Sequence, residues 1–334
     1  MAEPTYQIVT TMKNEGPFIL EWIAYHLSIG FTGFTVFTND CDDGTDQIIV
    51  RLQELGVACH VENKLKPGQS PQRKALRKSR WHPETQAADW LMCADVDEFL
   101  MIRTGDGHLR DLMSELGEVD AVSFCWKLFG NGQNEVFKPG FVTEQFFWAA
   151  PENVFPSVQS TGLKTLVRNT EKIKRLRIHR PMIAEDAQGY RWVDAGGQPM
   201  PEVYLTSKWS AHRHFSHRFA RLHHYAVRSI DSFLVKRDRG RTNHINADQG
   251  LDYWRLMNTN HAHDDSILVR VPAARQVYDR LIADPVLARL HEAACDWHIA
   301  KIEELKKRDG WPAFRDDIAS IDPGAAWRES QPDD

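Results

Sequence analysis

The sequence predicts an α/β fold in which a mixed, mainly parallel sheet is covered by helices and followed by a helical extension. The 334 residues are 42% hydrophobic and 26% charged, which is typical of a globular chain with a sizeable core. Strand-like and helical patterns alternate over the first hundred residues, as they do around parallel sheets. The run Trp90–Ala94 is continuously apolar, as strands covered on both faces are.

Each element of the first hundred residues has its own signal. The first strand is the β-rich run Tyr6–Met12, and Pro17 opens a helix that Gly30 ends. The same reasoning from caps, turns and apolar runs predicts a strand at Phe34–Thr38, a helix capped by Thr45 and stopped by Gly56, a strand at Val57–Val61, a helix opened by Ser70 and Pro71, and a strand at Trp90–Ala94.

The rest of the chain is patterned less evenly. A helix is predicted at Leu109–Leu116 and a strand at Ala121–Trp126, and residues 130–201 show only short strands and turns. Further helices are predicted at Ser229–Arg237 and, as one long amphipathic element, at Val277–Lys307. The tail after residue 323 is expected to be frayed.

Charge and composition exclude several classes of protein. The net charge of −5 excludes the overall basicity of a general nucleic-acid binder. No apolar run approaches the roughly 18 residues of a membrane span, and the first residues lack the signature of a secretory signal. The five cysteines are far apart, which favours reduced thiols. We therefore predict a cytoplasmic protein without an integral membrane span, and peripheral membrane association stays open.

The sharpest chemical feature is the acidic sequence Asp95-Val96-Asp97-Glu98 directly after the apolar strand. Two aspartates two positions apart on an extended segment would point the same way, at the edge of the sheet where ligands bind. Such a pair suits Mg²⁺ or Mn²⁺ shared with a diphosphate. The competing interpretation is an ordinary solvated turn.

Two more polar loops follow neighbouring strands. Lys13–Gly16 ends the first strand and Asn39–Thr45 ends the second, so three strand ends meet as a nucleotide crevice requires. Taken alone, Asp43-Gly44-Thr45 is better explained as a turn followed by a helix cap, although such a turn can also bind a ligand.

Five histidines lie within thirteen residues, interleaved with three arginines. Zinc binding is conceivable, but no cysteine is near, and the arginines would repel a cation and suit a diphosphate. We favour phosphate recognition with one histidine on a metal, and an exposed structural loop is the alternative. The residues are His212, Arg213, His214, His217, Arg218, Arg221, His223 and His224.

Together these residues resemble nucleotide-sugar glycosyltransferases of the family 2-like and family 92-like type, which have the GT-A fold. The resemblance covers about Tyr6 to Gly240. It rests on Lys13-Asn14-Glu15-Gly16, on Glu21-Trp22 with Ala24-Tyr25-His26, on Asp40 to Thr45, on Asp95 to Phe99, on His223-His224-Tyr225, on Arg228-Ser229, and on Phe233, Lys236 and Arg239-Gly240.

The resemblance implies a role for individual residues. Asp97 would be the direct ligand of Mn²⁺ or Mg²⁺, Asp95 would hold the ribose or a metal-bound water, and His224 would close the metal site. Further residues implied at the donor are Lys13, Glu15 and Asp43 around the uridine, a basic residue before the metal strand, here Arg73, and Lys236.

The implied activity is a metal-dependent, inverting glycosyltransferase of the hexosyltransferase type. It would move a sugar from a UDP-sugar donor to a hydroxyl of a saccharide or glycan acceptor, for which a carboxylate base is needed. Glu144, Glu152 and Asp248 are the candidates, and the sequence does not choose among them. The alternatives are a sugar nucleotidyltransferase, which would carry a more glycine-rich loop after the first strand, and a non-catalytic nucleotide- or carbohydrate-binding protein.

The resemblance also implies a division of the chain. Residues 5–126 would form the nucleotide-sugar-binding half, and residues 127–245 the half of the same GT-A domain that binds the acceptor and closes the metal site. Residues 246–322 would form the helical extension and residues 323–334 a flexible tail.

Overall fold

The structure is a computed structural model of the chain. It describes residues 3–152, 161–185, 188–210, 215–240 and 249–322. The histidines and the arginine at positions 212–214, Asp248 and the predicted tail lie outside the described residues.

The first half of the chain alternates strands and helices as predicted, up to the acidic turn. Its elements are β1 (Tyr6–Met12), α1 (Gly16–Ser28), β2 (Gly33–Thr38), α2 (Thr45–Glu54), β3 (Cys59–Glu62), α3 (Pro71–Ser79), α4 (Pro83–Ala87), β4 (Trp90–Cys93), β5 (Glu98–Ile102), α5 (Leu109–Leu116) and β6 (Ala121–Leu128).

The second half adds short strands and then helices. Its elements are β7 (Trp148–Ala149), β8 (Leu163–Arg168), β9 (Ile173–Arg175), β10 (Met182–Ile183), β11 (Trp192–Asp194), α6 (Val203–Thr206), β12 (Ala220–His224), α7 (Ile230–Arg239), α8 (Leu251–Met257), β13 (Ala262–His263), α9 (Val271–Ile282), α10 (Pro285–Leu305) and α11 (Trp311–Ser320).

One nine-stranded sheet organises the described chain, in the order β3-β2-β1-β4-β8-β6-β12-β5, with β11 beside β6. The pairs among β1 to β4 are parallel, and β6 pairs in parallel with β11 and β12. β8 is antiparallel to both of its neighbours, and β5 is antiparallel to β12. The predicted mixed, mainly parallel sheet is confirmed.

Helices cover both faces of this sheet, and each face has its own apolar cluster. On one face α1 packs against α9 and α10, around fully buried residues such as Trp22 and Phe34. On the other face Leu76 of α3 packs with Val9, Phe37 and Leu91 of the central strands. The strands therefore lie between two apolar layers, which explains why β4 is apolar at every position.

The predicted long helix Val277–Lys307 is wrong in two respects. The first of its two helices, α9, already begins at Val271, and the chain breaks at Asp284 before α10 starts. The Asp284 carboxylate accepts the backbone N–H groups of Val286 and Leu287 at 3.1 and 2.8 Å, and Pro285 occupies the first turn. A cap followed by proline starts a helix, so this pair of residues separates two helices within one amphipathic pattern.

Three strands were not predicted at all, the short β13 and two strands that bear on the site. β5 begins at Glu98, within the acidic motif, and β12 contains the two adjacent histidines His223 and His224. Among the described helices, none is long and apolar enough to cross a membrane.

Candidate active site

A cavity of about 1370 Å³ opens at the edge of the sheet where the parallel strands end. Its walls come from the ends of β1, β4 and β12 and from helices α3, α7 and α8. Ligands of α/β sheets bind at this edge, so the cavity lies where the sequence predicted it. Of the predicted site residues, the cavity is lined by Glu15, Arg73, Asp95, Asp97, His224 and Lys236.

The acidic motif is a turn between β4 and β5. The backbone N–H of Glu98 donates to the carbonyl of Asp95 at 3.0 Å, and the Glu98 carboxylate accepts the N–H of Asp95 at 2.8 Å. The segment is therefore a turn and not extended as expected, but both carboxylates line the same cavity. Each aspartate has its own set of partners.

Asp97 meets the carboxyl end of β12. In the pairing of β12 with β5, His224 lies opposite Glu98, and the N–H of Tyr225 donates to the carbonyl of Asp97 at 2.8 Å. This register brings His224 Nε2 to 3.5 Å from Asp97 Oδ1, although the two residues are far apart in sequence. The structure thus brings the predicted aspartate and histidine together.

Lys236 of α7 holds the other oxygen of Asp97. Its ammonium lies 2.6 Å from Asp97 Oδ2 and also donates to the carbonyl of Ala226 at 2.6 Å. Burial acts to raise the pKa of Asp97, but the charges of Lys236 and His224 hold that pKa well below its ordinary value. Asp97 is therefore an anion under all ordinary conditions.

Asp95 is held by a different cation. Lys164 of β8 is fully buried, and its ammonium lies 2.9 Å from Asp95 Oδ2 and 3.4 Å from Glu98 Oε2. Gln72 of α3 donates to Asp95 Oδ1 at 2.6 Å. Burial acts to lower the pKa of Lys164, but the charges of Asp95 and Glu98 raise it.

Glu98 is fully buried beneath the turn and bonds to both sides of it. Its carboxylate accepts the indole N–H of Trp126 at 2.7 Å, and the Trp126 ring lies 4.4 Å from the ring of His224. Burial raises the pKa of Glu98 to about 8, against the opposing charge of Lys164. The Glu98 and Trp126 side chains thus connect the Asp95 side of the turn to the histidine on its other side.

Glu15 of the first loop lies at the cavity between two arginines. Arg228 lies 3.2 Å from its carboxylate, and Arg239 forms a second ion pair with it. Arg239 also donates to the carbonyl of Lys13. The Lys13 side chain is not part of the cavity lining.

Asp43 ties the first and second loops together. Its carboxylate accepts the N–H of Gly16 at 2.8 Å and that of Thr45 at 2.9 Å, and burial raises its pKa. A Cβ at Gly16 would lie 2.5 Å from Cβ of Ala294, which explains the glycine of the first loop. Asp43 does not line the cavity, so its contacts favour a structural role over direct uridine binding.

The described part of the histidine cluster is mostly buried and not an exposed loop, and its arginines Arg218 and Arg221 do not line the cavity. His217, His223 and His224 are buried. Arg221 is buried against Asp264, with an ion pair of 2.7 Å, so its charge is already matched inside the protein. Arg218 is exposed and stacks on Phe219. Only the expectation that one histidine of the cluster faces Asp97 agrees with this geometry.

The structure does not bring the described base candidates to the cavity. Glu144 is ion-paired with Arg275 of α9, and Glu152 lies 2.7 Å from Arg103 and 3.6 Å from Arg221. Neither lines the cavity.

Asp97 and His224 are placed to hold a divalent cation, and Asp95 lines the same cavity with partners of its own. A separation of 3.5 Å is one that two ligands of the same ion can have, and Mg²⁺ or Mn²⁺ takes its remaining ligands from phosphate and water. Both oxygens of Asp95 already bond to Gln72 and Lys164. Across the described ranges, no group of three His, Cys, Asp or Glu side chains is placed to hold a metal ion.

Sequence reasoning missed several residues of this site. Lys164 and Gln72, which hold Asp95, were not considered, and the contacts of Arg228 with Glu15 and of Trp126 with His224 were not foreseen. The signal for Lys164 was weak but present, because a lysine within the apolar strand Leu163–Arg168 needs a buried partner.

Comparisons of the sequence with known proteins point to one family. The sequence profile of the family described as Glycosyltransferase family 92 matches residues 9–197, more than half of the chain. A family 92 protein of Oryza sativa subsp. japonica is 24% identical over 142 residues, which are 41% of this chain and 23% of that protein. A family 92 protein of Ricinus communis is 30% identical over 103 residues, 29% of this chain and 17% of that protein.

The chain thus matches less than a quarter of the length of these curated relatives. Among solved structures, S. aureus TarS 1-349 aligns over 98% of this chain and 92% of its own, with 12% identity and a TM-score of 0.34.

Proposed function

The chain belongs to glycosyltransferase family 92, and from this premise we propose that its cavity binds a UDP-sugar with Mn²⁺ or Mg²⁺ and transfers the hexose, with inversion, to a hydroxyl of a saccharide or glycan. One observation carries the proposal. Asp97 and His224 face each other at 3.5 Å on the wall of a cavity large enough for a nucleotide-sugar and an acceptor.

A divalent ion held by Asp97 and His224 would neutralise the charge that develops on the departing diphosphate. Lys236 would position the Asp97 carboxylate, and its ammonium adds positive charge beside the diphosphate. Asp95 would stay available to hydroxyl groups of the ribose, because Lys164 neutralises it without covering it and its side chain is 32% exposed. Glu15, held by Arg228 and Arg239, would lie at the nucleotide end.

The acceptor hydroxyl needs a base. Asp248 remains a candidate, although it lies outside the described residues. Asp252, four residues later, lines the cavity, and its ion-pair partner Arg255 is itself exposed, with 3.3 Å between them. We therefore add Asp252 to the candidates and give it preference over Glu144 and Glu152.

The decisive experiment measures nucleotide binding with and without the metal. In isothermal titrations of UDP, GDP and dTDP, we expect only UDP to bind, and only with Mn²⁺ or Mg²⁺. In a separate assay, the protein with metal should slowly hydrolyse a UDP-hexose. Asp97→Asn should abolish the metal dependence. Asp309→Asn, at an exposed position between α10 and α11, removes the same charge away from the cavity and should bind as the wild type does.

Two results would contradict the proposal. Metal-dependent UDP binding that survives Asp97→Asn would remove this residue from the site. Exchange of pyrophosphate into a nucleoside triphosphate, without hydrolysis of a UDP-hexose, would identify a nucleotidyltransferase instead.

A further inference from the structure

We propose that the cavity contains a second anion-binding site, formed by Arg175, Arg177 and Arg180, and that the acceptor is a saccharide carrying a carboxylate or a phosphate. The assignment of this site to the acceptor rests on the proposed function. The segment Arg175–Arg180 is called the arginine strap below, and all six of its residues line the cavity.

The arginine strap is fixed to the sheet. It continues from β9 and returns beside β8, where the Thr165 hydroxyl donates to the carbonyl of His179 at 2.9 Å. His179 Nδ1 donates to the carbonyl of Leu163 at 3.0 Å, and Leu176 is buried in the apolar cluster of this face. The arginine side chains therefore start from a backbone that is held in place.

The cavity wall has an excess of positive charge that its own carboxylates do not match. Each carboxylate of the lining has a cation of its own, and none of these cations belongs to the strap. The pairs are Glu15 with Arg239, Asp95 with Lys164, Asp97 with Lys236 and Asp252 with Arg255. Among the described residues, no carboxylate forms a salt bridge with Arg175, Arg177 or Arg180.

Among the three arginines of the strap, Arg180 gives the strongest evidence for a bound anion. It is only 8% exposed, and its guanidinium donates to the carbonyls of Leu205 and Thr206, which fix its orientation without neutralising its charge. Burial and the neighbouring charge of Arg177 lower its pKa. Buried arginines are almost always paired with an anion, so a ligand in the cavity is the natural source of the missing charge.

Arg175 gives an independent indication. Its Nε is buried and has no hydrogen-bond partner within the described part of the chain. Guanidinium groups bind carboxylate and phosphate through two parallel hydrogen bonds, and no hydrogen bond within the described residues holds the Arg175 Nε–H away from a ligand.

Aromatic rings beside the strap favour a saccharide as the carrier of the anion. The ring of His179 lies 5.0 Å from that of Trp209 and 5.8 Å from that of Trp126, and both tryptophans line the cavity. Trp126 in turn lies 4.4 Å from His224, so the ring surface leads from the proposed metal site to the strap. An apolar sugar face can pack on these rings while its anionic group reaches the arginines.

The donor's own charge is accounted for elsewhere. Its diphosphate belongs with Asp97, His224 and Lys236, which lie on the turn after β4 and on β12 and α7. The strap follows β8 and carries a separate set of cations, so the two anionic groups would bind at the same time.

The test compares charged and neutral probes of the same stereochemistry. The first pair of probes is tetragalacturonate and the neutral galactose tetramer with the same linkages, and the second pair is glucose 6-phosphate and glucose. The binding of each probe is measured by titration in the presence of UDP and Mn²⁺. We expect the charged member of at least one pair to bind about tenfold more tightly or better, as charge-assisted hydrogen bonds allow. The pair that responds distinguishes a carboxylate from a phosphate.

Variants locate the effect. Arg177→Gln and Arg175→Gln should each remove most of the preference for the charged probe and still bind UDP with Mn²⁺. Arg180→Gln is less informative because its guanidinium also holds two carbonyls. Arg289→Gln, an exposed arginine on α10 outside the cavity, removes the same charge and should keep the preference.

The outcomes separate this inference from the proposed function. Equal binding of charged and neutral probes, binding of no charged probe, or a preference that survives both strap variants would overturn the second site. If UDP fails to bind with metal but glucose 6-phosphate binds through the strap, the proposed function is wrong and the anion site stands.

Discussion

The ion pair between Asp97 and Lys236 gives the sharpest prediction about how the site is built. Both side chains are nearly buried, with 9% and 13% exposed, and 2.6 Å separates the two charged atoms. Asp97→Asn leaves the buried ammonium with the carbonyl of Ala226 and a neutral amide oxygen but no counter-charge, and Lys236→Met leaves the buried carboxylate beside His224 without its lysine.

The magnitude follows from this burial. Removing one partner of a buried pair costs about 3–5 kcal/mol of unfolding free energy, and we expect about 3 here because each remaining group keeps one contact. Two independent losses would add to about 6 kcal/mol, but the double variant has no orphaned charge, so a coupling of about 2–3 kcal/mol should appear. The double variant should therefore be only slightly less stable than either single variant.

The ionisation of Asp97 gives this cost no pH dependence of its own between pH 5 and 8. The pKa of Asp97 is held well below its ordinary value of 3.8, so this carboxyl is ionised in both the folded and the unfolded state above that value. The stability that the pair provides is present above pH 3.8 and is lost only as the pH falls further.

A double-mutant cycle measures this coupling. The wild type, both single variants and the double variant are unfolded in urea at pH 5 and pH 8, and unfolding is followed by tryptophan fluorescence. The exposed pair Glu62–Lys64, at 3.2 Å, is the matched control and should show no measurable coupling. Additive costs at Asp97 and Lys236, or a cost of Asp97→Asn that shrinks between pH 8 and pH 5, would refute the reasoning.

Three further predictions concern buried contacts near the site. Lys164→Met should destabilise the fold by about 3–5 kcal/mol in urea unfolding, because it removes the buried cation shared by two carboxylates; Lys64→Met, at an exposed pair, should have little effect. Glu21 accepts two backbone N–H groups and a hydroxyl, and burial raises its pKa to about 7. The stability of the wild type relative to Glu21→Gln should therefore be highest below pH 4.5, fall as the pH rises to about 7 and then level off, and a flat profile would contradict this. Gly16→Ala should cost about 1–3 kcal/mol because its Cβ would lie 2.5 Å from that of Ala294; a neutral effect in urea unfolding would show that α10 can move away.

Local signals in the sequence were enough to predict the strands at the centre of the sheet and the helices that cover them. β1 has the predicted bounds, and α3 starts at Pro71 behind a Ser70 cap, because these elements are determined by apolar runs and caps within a few residues. The position of the acidic motif at the ligand edge followed from the same alternation. The long helix was wrong because periodicity alone gives no weight to the Asp284-Pro285 pair.

Long-range pairing accounts for what the sequence did not predict. β12 carries two histidines and an arginine, and it is a buried strand because Arg221 finds Asp264 and His224 finds Asp97. No local pattern contains this information, so the histidines could not be told from an exposed loop. The separate partners of Asp95 and Asp97 likewise depend on distant residues, because Lys164 is 69 residues away from Asp95.

The contacts of Asp95 and Asp97 cross between the two predicted halves of the chain, so neither half contains the whole site. Asp95 and Asp97 belong to the predicted nucleotide-binding half, but Lys164, His224 and Lys236, which hold them, all belong to the predicted acceptor half. β4 and β5 of the first half pair with β8 and β12 of the second, so the sheet itself is shared. A chain cut after residue 126 would leave two acidic side chains without their cations and two edge strands without partners. The proposed metal site therefore forms only when both halves are folded together, and metal-dependent UDP binding should be lost at the same urea concentration as the sheet.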